Sequence, residues 1–281
     1  MKELSCADLQ AAVAGLFLKA NREISPDIRA AMEAARDAET SPAARYALTQ
    51  LVDNYDCALE DGLPICQDTG MAIIFVEVGQ EVHFTGGQFA EAVNAGVREA
   101  YQKGLLRKSV VSDPLFDRKN TLDNCPAIIH TSIVPGDKVH LLAIAKGFGS
   151  ENMSRIGMLT PSAGETGVFN YIVETARLAG PNPCPPVVVG VGVGGDFEQA
   201  ALLAKRATAR PLGQRHPDPR YAAMETRAMD AINVLGIGAA GYGGLTTVLN
   251  VAIESTPTHI AGLPVAVNIC CHASRHAETT L

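Results

Sequence analysis

Apolar side chains recur at helical spacing through the first sixty positions. Residues 7–20 carry them at i, i+3 and i+4, which predicts an amphipathic helix. Ser25-Pro26 pairs an N-cap residue with proline at the first helical position and opens a second helix to about residue 38. Ser41-Pro42 repeats the signal for a third, to about residue 60, where Gly62 and Pro64 stop it. The period then changes. Residues 71–78 form a β-rich run, so 66–70 is a loop feeding a strand. Residues 85–104 predict a helix ended by glycine. Residues 105–124 are polar and irregular, dense in Arg, Lys, Asp and Asn, and a loop of that length in a compact domain points to function.

Further on, 126–134 and 138–145 predict a strand pair joined by the turn Pro135-Gly136-Asp137. Ser162 with Glu165 three residues on is a capping-box pattern for a helix to about residue 178. Residues 187–193 predict a buried strand, and Asp196 caps a helix to about residue 207. A break at 216–219 precedes a helix over 220–235, and strands at 248–255 and 263–270 follow. The class is mixed α and β (α+β): a helical N-terminal region, then mixed sheets covered by helices. No repeat or linker divides it, so a single domain over 1–281 is expected.

Composition narrows the function. With 47% apolar and 19% charged residues over 281 positions, the chain supports a sizeable core and is not disordered. A net charge of -7 argues against a general nucleic-acid or membrane-surface role. Absence of Trp leaves few stacking platforms for bases. The N-terminus has no long apolar stretch after a basic start, so neither a signal peptide nor a membrane span is expected. Seven cysteines, an odd number in a long chain, fit a reducing cytoplasm better than a disulfide scaffold.

Three of those cysteines have unusual settings. Cys66 lies in Ile-Cys-Gln-Asp-Thr-Gly, Cys184 in Pro-Asn-Pro-Cys-Pro-Pro, and Cys271 in Asn-Ile-Cys-Cys-His. Three thiolates gathered by a fold can hold three corners of a 4Fe–4S cluster and leave one iron open as a Lewis acid. The opposing reading is that all are small buried hydrophobes, as Cys6, Cys57 and Cys125 are expected to be. Spacing alone leaves both readings open, because the gaps match no local finger or ferredoxin run. In an extended segment only one of Cys270 and Cys271 faces the site, and alternation does not say which.

Gly190 to Gly195 contains a Gly-x-Gly-x-x-Gly match between a strand and a helix. Asp196 at the helix start opposes a pyrophosphate, and no acidic residue ends a second strand about 20 residues on. Glycines that let backbones pack closely are the better reading. Arg107, Arg118, Lys119 and Lys146 flank irregular segments, and a solvated basic face is the default reading of such charges; the turn Gly147-Phe148-Gly149 and the Asn120, Asn124 and Asn152 amides near them in sequence set beside it the recognition of a small dicarboxylate. Asp68 and His259 are the candidate proton carriers, although each alone is more often a turn aspartate or a satisfied histidine.

Together these residues resemble the class I iron–sulfur fumarate hydratases and the L-tartrate dehydratases. The resemblance rests on Cys-Gln-Asp-Thr-Gly at 66–70, Arg-Lys-Ser-Val-Val from Arg107 and Asp-Arg-Lys-Asn-Thr-Leu-Asp-Asn at 117–124. It continues through Lys-Gly-Phe-Gly-Ser-Glu-Asn at 146–152, Thr-Pro-Ser-Ala-Gly from Thr160, the Pro-Cys-Pro-Pro turn, and His259 upstream of Asn-Ile-Cys-Cys-His from Asn268. It implies that Cys66, Cys184 and Cys271 ligate a 4Fe–4S cluster, with Cys271 chosen over Cys270 because it directly precedes His272. It implies that Gln67, Asp68, Arg107 and Gly149 contact a small dicarboxylate or hydroxy acid, and that His259 lines the pocket. The expected activity is reversible hydration of fumarate to L-malate, a step of the tricarboxylic acid cycle, by a cytoplasmic enzyme. Its same-class rival is L-tartrate dehydration to oxaloacetate; its different-class rival is an iron–sulfur electron carrier or scaffold. Single-chain relatives carry a further C-terminal domain, so the resemblance implies an α subunit completed by a β subunit, as α2β2 with α–α dimerisation.

Overall fold

The computed structural model describes residues 2–281. In chain order the elements are β1 (Lys2–Ser5), α1 (Cys6–Arg22), α2 (Pro26–Ala38), α3 (Pro42–Asp61), β2 (Met71–Gly79), β3 (Val82–Thr85) and α4 (Phe89–Lys103). Then come β4 (Ile128–Val134), β5 (Val139–Lys146), the short α5 (Phe148–Glu151), β6 (Arg155–Leu159), α6 (Gly164–Ala179) and β7 (Val187–Gly195). The last are α7 (Phe197–Ala207), α8 (Pro219–Val234), β8 (Val248–Thr258), β9 (Leu263–Cys270) and β10 (His276–Thr280). The class is α+β, as the pattern predicts. The chain groups into two compact units, unit 1 comprising Met1–Ser25, Asn54–Phe148 and Arg275–Leu281, and unit 2 comprising Pro26–Asp53 and Gly149–Ser274.

Unit 1 is built on a sheet of order β10-β5-β2-β4. Its core joins Leu9, Val13 and Phe17 of α1 and Val93, Val97 and Tyr101 of α4 to Ile74, Val76, Leu141 and Ala143 of the sheet. α1 starts where a cap signal should: Ser5 Oγ accepts the Asp8 N–H at 3.0 Å. The predicted pairing of the strands around Pro135-Gly136-Asp137 does not occur. β2 lies between them, parallel to β4 and antiparallel to β5. The end of β2 is gripped by the turn itself, with Gly79 N donating to Lys138 O and Glu81 N to Gly136 O. A Cβ on Gly79 would stand 2.4 Å from Gly136 O, so only glycine permits this insertion. The helix predicted from residue 85 begins at Phe89, because Val82–Thr85 pairs as β3 with β1.

Unit 2 is built on a sheet of order β6-β9-β7-β8. One face of β7 presents Val187, Val189, Val191 and Val193 to a core with Val168 and Ile172 of α6 and Ala228 and Ile232 of α8. The alternate positions face α7, as a two-residue period requires. There a Cβ on Gly190 would meet Ala204 O at 2.2 Å, and one on Gly192 would meet Ala200 O at 2.0 Å. The glycine pattern therefore serves helix-on-sheet contact, and Asp196 Oδ1 caps α7 by accepting the Gln199 N–H at 2.9 Å. Ser162 does not cap α6: its hydroxyl lies 2.9 Å from Thr160 Oγ1, and residues 161–163 form a 3-10 turn ahead of the helix. α2 and the start of α3 also belong here. Glu39, fully buried between them, accepts the N–H groups of Thr40, Ser41 and Leu245. Burial works against its charged form, yet those three donors prevail and hold the Glu39 carboxyl below its ordinary value. Among the described residues, no helix is long and apolar enough to cross a membrane.

Candidate active site

The candidate residues divide between the two units. Unit 1 holds Cys66, Gln67, Asp68 and Arg107; unit 2 holds Gly149, Cys184, His259 and Cys271.

In unit 1 the loop before β2 is tied from several sides. Thr69 Oγ1 donates to Arg107 O at 2.5 Å, which fixes the backbone of one candidate against the loop that carries the others. The buried hydroxyl of Tyr101 donates to Thr69 O at 2.7 Å, and Asn124 Nδ2 donates to Gly70 O at 3.2 Å. Burial above all raises the Tyr101 phenol well above its ordinary value, so it serves as a neutral donor. Asp68 is aimed by two backbone groups: Oδ1 accepts from Gly70 N at 3.1 Å and Oδ2 from Phe148 N at 2.8 Å. Its own carbonyl accepts from Arg275 Nη1. Cys66 Sγ accepts the Asp68 N–H at 3.4 Å and stands 3.4 Å from Gln67 Oε1. Gln67 and Arg107 are exposed.

Arg275 is the site residue that sequence reasoning did not single out. It is 3% exposed. A Cβ on Gly147 would lie 3.0 Å from both Arg275 Nη2 and Asp68 Oδ2, so a guanidinium and the candidate proton carrier flank this glycine. The available signal was its place in the polar run after Cys271, which the local pattern could not connect to Asp68, some two hundred residues earlier.

In unit 2 the sheet gathers three candidates at one end. β7 and β9 run antiparallel with Val188 opposite Cys270. Cys184, just before β7, and Cys271, just after β9, therefore flank the same end. Gly149 joins them, since a Cβ built on it approaches Asn182 O at 4.0 Å, two residues before Cys184. The Cys184 turn is held by its left-handed backbone, φ 55°, by its N–H on Pro181 O at 3.2 Å, and by Ala240 N on Pro185 O at 2.8 Å. His259 is not with them. It follows β8, whose end pairs Thr258 with Gly195 at the far end of parallel β7. A strand of that length spans roughly 25–30 Å. His259 is exposed, its Nδ1 accepting the Ala261 N–H at 3.1 Å, and Ile260 beside it is 92% exposed.

The cysteines sort by exposure. Cys6, Cys125 and Cys270 are buried, Cys66 and Cys271 are half-buried and Cys184 is exposed; Cys57, expected to be buried, is exposed on α3. Burial above all pushes the Cys125 thiol up to about 11, and its Sγ donates to Asn94 O at 3.4 Å, both marks of a protonated thiol. Cys270 lies within β9 facing the interior, and Cys271 is the accessible member of that pair. Among the described residues, no three His, Cys, Asp or Glu side chains group as a single-ion site. Ligands of a cubic cluster bind different irons and do not converge on one point, so the donor set to look for is accessible thiols on rigid turns. Cys66, with an N–H directed at its sulfur, and Cys184, on a braced proline turn, fit that description.

The sequence profile described as Fumarate hydratase (Fumerase) matches residues 10–280. The chain belongs to that family. A protein of Methanocaldococcus jannaschii, provisionally named L(+)-tartrate dehydratase subunit alpha, is 38% identical over 269 residues, covering 94% of each chain. The L(+)-tartrate dehydratase subunit alpha of Escherichia coli strain K12 is 33% identical over 287 residues, covering 99% of this chain and 94% of that one. The Shigella sonnei protein of the same name matches to the same extent. This member of the Fumerase family is accordingly a hydro-lyase.

Proposed function

We propose that the chain is the α subunit of an iron–sulfur hydro-lyase that dehydrates a four-carbon hydroxy-dicarboxylate, with L-tartrate the favoured substrate and L-malate/fumarate the second reading. The observation that carries it is the pairing of an oriented carboxylate, Asp68, with the exposed guanidinium of Arg107 on one tied loop system. The relatives' names put tartrate first, and the family's own description keeps fumarate in view. The whole chain, 1–281, acts as one catalytic domain in this reading.

Cys66, Cys184 and Cys271 would hold a 4Fe–4S cluster, which supplies Lewis acidity at an iron without a protein ligand. Arg107 takes one substrate carboxylate through charge-assisted hydrogen bonds. The Gln67 amide and the backbone at Gly149, where no side chain crowds the approach, orient the rest. Asp68 moves the proton on the oxygen side, its carboxylate already aimed by Gly70 N and Phe148 N. The carbon-bound proton is removed by a group on a complementary β subunit, since relatives of this length are named as α subunits. His259 lies a strand length from Cys184 in its own chain, so it lines a pocket only when a second copy delivers it. That fits α–α pairing within an α2β2 assembly, and the exposed Ile260 beside it suits burial against that copy. A cytoplasmic location is part of this reading.

The test is a pair of steady-state assays on the chain co-purified, iron-replete, with its complementary subunit. A higher kcat/KM for L-tartrate than for L-malate is expected. The reverse ratio moves the assignment to fumarate hydration, and turnover of neither overturns the reading.

A further inference from the structure

Residues 110–121, expected only as an irregular loop, form a braced finger. Val111 and Asn120 make an antiparallel bridge, Ser112 N donates to Lys119 O at 2.8 Å, and Thr121 N donates to Val110 O at 2.9 Å. At the tip Asp113 Oδ1 accepts the N–H groups of Leu115 at 3.0 Å, Phe116, and Asp117 at 3.1 Å. Arg118 Nη1 closes the tip on Pro114 O. At the base Asn120 Nδ2 donates to Lys108 O at 2.8 Å, and the fully buried Asn124 accepts Ser109 N at 2.8 Å. Side chains thus do the work that a longer ladder would do, and the finger's shape is fixed in advance.

What this frame presents is apolar. Leu115 is 69% exposed, Phe116 84% and Leu122 72%. A single exposed leucine needs no explanation, but an aromatic and a leucine held side by side on a rigid tip resemble interface anchors. Their ordering cost is met before any partner arrives. The surrounding charge is basic. Arg107, Lys108, Arg118 and Lys119 lie on or beside the finger against one exposed acid at its tip, Asp117, while Asp113 accepts backbone donors and Asp123 pairs with Arg98 at 3.1 Å. This stands against a net charge of -7 for the chain. The finger also continues directly from Arg107, so whatever seats on it is brought to the carboxylate-binding end of the loop.

We propose that the 110–121 finger is the docking arm for the complementary subunit, with Leu115 and Phe116 seated in an apolar, acid-rimmed pocket of that chain. The occupant rests on the α-subunit reading above. A partner of a second kind suits the basic rim and the position beside Arg107.

The experiment measures the Kd between the full chain and the purified complementary subunit by surface plasmon resonance, with sedimentation of each chain alone. The double variant Leu115→Ser/Phe116→Ser should weaken the complex on the order of 30-fold or more, as loss of an anchor does. Its far-UV CD and melting temperature should stay those of the wild type, and Leu178→Ser, an exposed site on α6, should bind normally. As a second variant, Lys119→Glu should slow association, most at low salt. Unchanged affinity in both finger variants overturns the proposal. So does loss of self-association with the heteromer intact, which would assign the finger to a second copy, or normal assembly with lost turnover, which would make it a substrate cover. A wild-type complex that assembles yet turns over neither L-tartrate nor L-malate sinks the hydro-lyase reading and leaves the docking arm standing.

Discussion

A carboxylate fixed by backbone donors behaves differently from one in water, and two such residues shape this molecule. Asp68 spends both oxygens on N–H groups and is thereby aimed. Replacing it with Asn keeps the volume but removes proton transfer. kcat of the assembled enzyme should fall on the order of 10²–10⁴-fold with a much smaller change in KM. Glu39 has the structural counterpart of this arrangement. Its folded-state value lies below the ordinary 4.5, so its contribution to stability is fully present above that value and is lost as pH falls through the folded one. Glu39→Gln should lower stability at pH 7 by about 1–3 kcal/mol, the cost of weakening buried hydrogen bonds to a charged group. Urea midpoints of wild type and variant should converge as the pH is taken below 4.5. A gap that persists in acid would show that the loss is one of packing.

At the scale of elements, close approach of backbones decides what is tolerated. Gly192→Ala would place a methyl 2.0 Å from Ala200 O, so α7 must lift from β7. A loss of about 1–3 kcal/mol or more is expected by thermal melting. Gly15→Ala, on an exposed turn of α1 with nothing within 4 Å, should instead gain about 1 kcal/mol. The same contrast explains what was legible in the sequence. Helices with a Ser-Pro or Asp start announced themselves, because caps are local chemistry. The Gly190/Gly192 alternation was readable as close packing for the same reason. The order β5-β2-β4 was not, since the turn at 135–137 looks identical whether or not a third strand enters it. β6 and β10 escaped notice because short strands with mixed burial carry little period. In the site, the residue types at 66–68, 107 and 184 stood out by their neighbours. Arg275 did not, because its meaning lies in Asp68 and Gly147, which the fold alone brings to it.

For the whole molecule, the position of His259 makes a sharp demand. If a second copy supplies it, chains carrying Asp68→Asn and chains carrying His259→Asn are each inactive as pure assemblies. Mixed by co-expression, they should recover about a quarter of wild-type turnover, because half the dimers are mixed and each such dimer regains one intact site. No recovery from two inactive parents would show that His259 does not act from a second copy, and full activity of the pure His259→Asn assembly would place it outside the chemistry.

The division of the chain into units also governs how it can be made. Unit 1 begins near the N-terminus yet takes its edge strand β10 from the last segment, after all of unit 2 has been synthesised. Until then β5 has only β2 beside it, with a row of unpaired backbone groups along its other side. A nascent chain on the ribosome therefore carries an adhesive border while unit 2 is being made, and the segment Arg275–Leu281 closes it.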